Sequence, residues 1–65
     1  MLKLLIGFCF FNSGNVVEIV GVHSEDPPVV TVRLVKVPEE GAFAEEGTEW
    51  DADWSEFTAG WNPLE

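Results

Sequence analysis

Two runs of β-branched residues, VVEIVGV at 16–22 and VVTVRLVKV at 29–37, stand on either side of SEDPP and set what this chain can fold into. Valine and isoleucine have few χ1 rotamers to lose on a pleated surface, so both runs read as strands. In the second run Val30, Val32 and Leu34 fall on one face and Thr31 and Arg33 on the other, which is the period of a half-buried strand. Pro27 and Pro28 cannot donate to a ladder and end the run before them. Upstream, NSGN at 12–15 supplies Asn and Gly residues that tolerate positive φ, and turns the chain after an apolar run at 4–11. PEEG at 38–41 turns it again and leaves a fourth strand around Phe43 or Trp50. The reading is one small domain, 1–65, all-β and mainly antiparallel. Its strands are expected near 3–11, 16–23, 29–37 and 42–50, with a helical turn near 53–58 and a tail at 59–65.

Nothing covalent staples such a sheet. Among 65 residues Cys9 is the only cysteine, so no internal disulfide forms, and with His23 it falls short of the four ligands of a structural zinc site. A domain of this size buries only about 60% of the surface its unfolded chain exposes, which leaves no room for a deep cleft. Stability then rests on aromatic packing, with five Phe and three Trp available, or on self-association. At 46% hydrophobic residues the composition is that of a globular chain.

The run at 4–11 has two readings. As a secretion signal it is short, lacks a small-residue cleavage site, and places Phe8 before Cys9 where a lipoprotein box needs a small side chain. As a buried strand it supplies apolar residues the core cannot spare. It does not span a bilayer, which takes about 20 apolar residues. The strand reading goes with a cytoplasmic or host-cytoplasmic protein, and the signal reading, over 1–14, with secretion.

Charge is distributed unevenly. The net charge is −9, yet in residues 1–36 Glu18, Glu25 and Asp26 are balanced by Lys3, Arg33 and Lys36. Residues 37–65 carry Glu39, Glu40, Glu45, Glu46, Glu49, Asp51, Asp53, Glu56 and Glu65 and no base. Such a surface repels phosphate backbones, which argues against direct nucleic-acid binding and against anionic membranes. It suits a protein partner with a basic surface, although acids also keep a sticky small domain in solution.

All three tryptophans lie in EWDADWSEFTAGW at 49–61. Trp50, Trp54, Phe57 and Trp61 fall at helical spacing, with Asp51, Asp53 and Glu56 off that stripe, and Thr48 and Asp53 stand where N-caps stand. Read as a strand, Trp50, Ala52 and Trp54 share a face until Glu56 breaks the alternation. A tryptophan buries on the order of 200 Å², several kcal/mol at about 25 cal/mol per Å². One or two of these rings are therefore expected to close the open end of the barrel, and at least one to stay partly exposed. A ring left exposed among acids would serve as a binding anchor. The candidate partner-binding residues are Trp50, Asp51, Asp53, Trp54, Glu56 and Trp61.

GNVVEIVGVHSEDPPVVTVRLV at 14–35, followed by Phe57-x-x-x-Trp61-Asn62-Pro63-Leu64, resembles the Src-homology-3-like family of small barrels. In those folds a Gly-led strand, a turn, a Val-rich strand and a short helical turn before the last strand recur. The resemblance implies a five-stranded barrel that binds through aromatic residues and loops; the strand pattern by itself gives such a barrel or a curled meander of four to five strands. The chain has no tyrosine and no stretch for gripping proline-rich peptides, so the resemblance bears on fold and not on ligand.

No residue set reaches a catalytic or cofactor motif. Asp51, Asp53 and Ser55 match the first calcium-loop positions, but Glu56 stands where glycine is required and Asn62 where a bidentate glutamate belongs. His23 reads as a turn residue beside acids. Cys9 reads as a core thiol without the cationic neighbour that activates one. The sequence thus predicts a non-enzyme without metal or cofactor. It reads as an acidic protein–protein interaction module that covers a basic or nucleic-acid-binding surface of its partner, as small viral inhibitors that mimic nucleic acid do. The alternative is a structural subunit of a homo-oligomer or of a larger assembly such as a virion.

Overall fold

The computed structural model describes residues 2–64. Four strands follow one another, β1 (Cys9–Asn12), β2 (Asn15–Glu25), β3 (Pro28–Lys36) and β4 (Glu49–Asp53). A short helix, α1 (Trp54–Gly60), and a two-residue strand, β5 (Asn62–Pro63), complete the chain. All pairings are antiparallel, in the order β4-β3-β2-β1-β5. The protein is therefore mainly antiparallel all-β with one helix near its C-terminus. The sheet is open, so of the two expected forms the meander is found and the closed barrel is not. The two ends of the sheet are not joined, since β4 leads directly into α1 and β5 pairs with β1 and not with β4.

Local chemistry accounts for the hairpins. Ser13 and Gly14 form a two-residue turn between β1 and β2, both at positive φ (50° and 87°), the type I′ pattern that matches strand twist. A Cβ at 14 would also lie 3.1 Å from Pro38 Cβ, a tight contact that the proline ring would have to shift to relieve. Between β2 and β3 the register shifts three times, at Val16/Val17, Ile19/Gly21 and Val22/Ser24. Each extra residue adds local twist, and together they curl the long hairpin.

Alternation then builds one core. Phe10, Val17, Ile19, Val30, Val32, Leu34 and Phe57 are buried, with the expected Val30, Val32 and Leu34 at its centre. Phe10 lies opposite Val17, and Val17 opposite Leu34; Ile19 lies opposite Val32, and Val32 opposite Trp50. Each fully buried aliphatic side chain contributes about 1.5–3 kcal/mol relative to exposure.

Two expected strands are displaced. The strand anticipated at 3–11 starts only at Cys9; before it Leu2–Leu5 form a 3₁₀ turn. That turn repeats every three residues, so Leu2 and Leu5 pack against the core while Leu4 stays 72% exposed. Gly7, at φ 97°, redirects the chain, and its N–H donates to the Ile19 carbonyl at 2.7 Å. Ile6 and Phe8 remain on the surface. The strand anticipated at 42–50 lies instead at Glu49–Asp53. Gly41 and Gly47, at φ 81° and 96°, break the extended run before it, and Thr48 closes a turn onto the Glu45 carbonyl. The helix anticipated at 53–58 is found at Trp54–Gly60. Among the described residues no helix is long and apolar enough to cross a membrane.

Candidate protein-interaction surface

The six candidate residues lie on β4, α1 and their junctions, but they are divided between two faces. Alternation along β4 sends Trp50 and Ala52 to the core side, and Glu49, Asp51 and Asp53 to the other. On that outer face Thr31 Oγ1 donates to Asp51 Oδ1 at 2.7 Å, and His23 Nδ1 stands 3.5 Å from Asp51 Oδ2. His23 sits within β2 rather than in the turn expected for it. Asp53 caps α1, its Oδ2 accepting the Glu56 N–H at 3.2 Å. The tryptophans are thus not encircled by Asp51 and Asp53. Rings and carboxylates occupy opposite sides of one strand.

The helical spacing of the aromatics holds only in part. Trp54, Phe57 and Trp61 belong to α1 and its C-cap, where the Trp61 N–H donates to the Phe57 carbonyl at 2.9 Å; Trp50 is on the strand. Their rings join a continuous row. Trp54 meets Phe10 edge-on at 6.0 Å, and Phe10 meets Phe57 at 4.9 Å. Phe57 stacks on Trp61 at 5.9 Å, Trp61 meets Phe43 at 5.8 Å, and Phe43 covers Trp50 at 5.3 Å. Phe10 and Phe57 are buried and the tryptophans half-buried, while Phe43 is 62% exposed. The tryptophans therefore close the core and still present an edge to solvent.

Sequence reasoning missed two residues of this surface. The sequence pattern places Phe43 in or near a strand and Asn15 in a turn. Asn15 is the one buried polar side chain among the described residues. Its Oδ1 accepts the Phe43 N–H at 2.8 Å, and its Nδ2 donates to the carbonyls of Asn12 (3.2 Å) and Gly41 (3.3 Å). One amide thereby pins the 38–48 loop and sets Phe43 over Trp50. Asn15→Ala is expected to cost about 1–3 kcal/mol, because those buried groups lose their partner. A urea titration should show the lowered midpoint, and Trp50 emission should shift to the red as Phe43 lifts away.

Electrostatically the surface is little compensated. Arg33 Nε lies 3.9 Å from Glu49 Oε2, both about half exposed, a contact worth at most about 1 kcal/mol. Among the described residues Glu39, Glu40, Glu45, Glu46 and Glu56 form no ion pair. An open hollow of about 300 Å³ beside β3 is lined by Arg33, Leu34, Val35, Glu46 and Gly47 and lies apart from the aromatic row. Asp51, Asp53 and Ser55 are spread over strand and helix, and no group of His, Cys, Asp or Glu among the described residues is placed to hold a metal.

No protein-family model matches the chain, and no curated protein or solved structure matches it. Fold and surface by themselves define a small, open antiparallel sheet with an acidic, aromatic C-terminal half.

Proposed function

We propose that this protein is an acidic interaction module that acts by binding rather than catalysis and covers a basic or nucleic-acid-binding surface of a protein partner. The observation that carries this reading is the concentration of little-compensated carboxylates in residues 37–64, the same segment that holds most of the half-buried aromatic row. Carboxylates steer a cationic surface, and the exposed ring edges supply the apolar contact that holds it. On this reading the protein is a small viral-type inhibitor that takes the place of nucleic acid on its partner, in the cytoplasm of the cell or host. The five strands, with a short helix before the last, support kinship with the Src-homology-3-like folds, as an opened relative.

Leu4, Ile6, Phe8, Phe11 and Val35, exposed in the charge-balanced half, favour a second reading as a structural subunit of a homo-oligomer or virion-like assembly. Light scattering of the protein alone, beside affinity capture with wild type and a charge-neutralised variant as baits, separates the two. A basic partner held stoichiometrically by wild type only is the expected result. A defined homo-oligomer that retains no partner overturns it in favour of the second.

A further inference from the structure

We infer, building on the interaction-module reading, that the free edge of β4 receives an extended segment of the partner as an added antiparallel strand, basic at alternate positions and apolar between them. β4 pairs only with β3 and stands at the end of the sheet. The Leu34 N–H donates to the Thr48 carbonyl at 2.8 Å, which sets the phase of the ladder. Trp50 and Ala52, at even steps from Thr48, exchange their bonds with Val32 and Val30. The N–H and C=O groups of Glu49 and Asp51, and the N–H of Asp53, consequently face out from the edge. Among the described residues none of the backbone hydrogen bonds outside the ladders uses them. The opposite edge offers no equivalent, since β5 is two residues long and ends in Pro63.

The side chains on this edge select its occupant. Glu49, Asp51 and Asp53 carry carboxylates on one face at two-residue spacing, about 7 Å apart. A second copy pairing here would set its own carboxylates directly against them, and like charges across a strand pair are destabilising. Lysine or arginine at every second position of an incoming strand meets both demands, the bare backbone and the acids. The intervening residues then fall on the side of Trp50 and the exposed ring of Phe43, where apolar side chains suit. Recognition is by strand addition, with main-chain bonds giving affinity and alternate side chains giving specificity.

The test uses capped synthetic heptapeptides on the intact protein, read by tryptophan emission and calorimetry at low salt. The probe Lys-Val-Lys-Val-Lys-Val-Lys should bind at 1:1. The same composition in blocks, four Lys then three Val, should bind about tenfold more weakly or worse. Backbone N-methylation separates strand addition from bare charge attraction. Residues opposite Glu49 and Asp51 exchange bonds with the edge, so methylating the lysine amides should weaken binding about tenfold or more, whereas methylating the valine amides should leave it nearly unchanged. Equal affinity for all four peptides would overturn edge docking and leave the charge-driven module standing. Absence of binding to the alternating peptide would also overturn edge docking. If a basic folded partner is still captured in that case the module reading survives, and if none is captured both fall.

Discussion

Phe57→Ala is expected to leave the protein largely unfolded or at the margin of stability at room temperature. Phe57 is the only buried residue of α1, and its ring meets Phe10, Trp54 and Trp61 at 4.9, 6.2 and 5.9 Å. A seven-residue helix has no stability of its own in water, so α1 persists only through that anchor. Truncating a buried Phe to Ala costs about 3–5 kcal/mol. At about 0.05–0.15 kcal/mol per residue, a chain of 65 residues has roughly 3–10 kcal/mol to lose. The measurement is guanidinium unfolding followed by tryptophan emission and by near-ultraviolet dichroism. Phe57→Leu retains most of the volume, should cost under about 1.5 kcal/mol, and should stay folded. A wild-type midpoint for the alanine variant would mean that α1 does not dock on the sheet.

The second large effect is kinetic. Changing Asp51, Asp53 and Glu56 together to Asn, Asn and Gln takes the net charge from −9 to −6 and should slow association with a basic partner several-fold to tenfold at low salt. The fold should tolerate it. Asparagine caps a helix about as well as aspartate, so the bond from the Glu56 position to residue 53 survives, and an amide oxygen at 51 still accepts from Thr31 Oγ1. The deficit should vanish near 1 M salt, where the Debye length falls to about 3 Å. Stopped-flow mixing across a salt series checks both points. Trp50→Ala should act on the other rate constant and speed dissociation, since it removes apolar contact formed only after encounter. An unchanged on-rate and salt slope for the triple variant would exclude steering by this segment. Were Trp50→Ala to lower stability while affinity per folded molecule held constant, that ring would be lid alone.

By itself the sequence determined what depends on near neighbours. The β-branched runs specified β2 and β3, and alternation specified the buried face of β3, because a period of two is written in adjacent residues. The Ser13-Gly14 turn and the cap at Asp53 were legible for the same reason, as local φ preference and side-chain reach within three residues. Charge asymmetry was legible as a plain count. Only the tertiary structure decided the rest. The apolar run at 4–11 has no periodicity to choose between strand and 3₁₀ turn, and its docking along β2 chose. The division of Trp50 from Asp51 required knowing that residues 49–53 are a strand, which is fixed by pairing with Val29–Arg33 rather than by helical spacing. Asn15 and Phe43 are 28 residues apart, and nothing in either neighbourhood announces their bond. The free edge of β4 is likewise a property of strand order. Whether a strand lies inside a sheet or at its edge depends on which distant segments reach it, and that is settled only when the whole chain has packed.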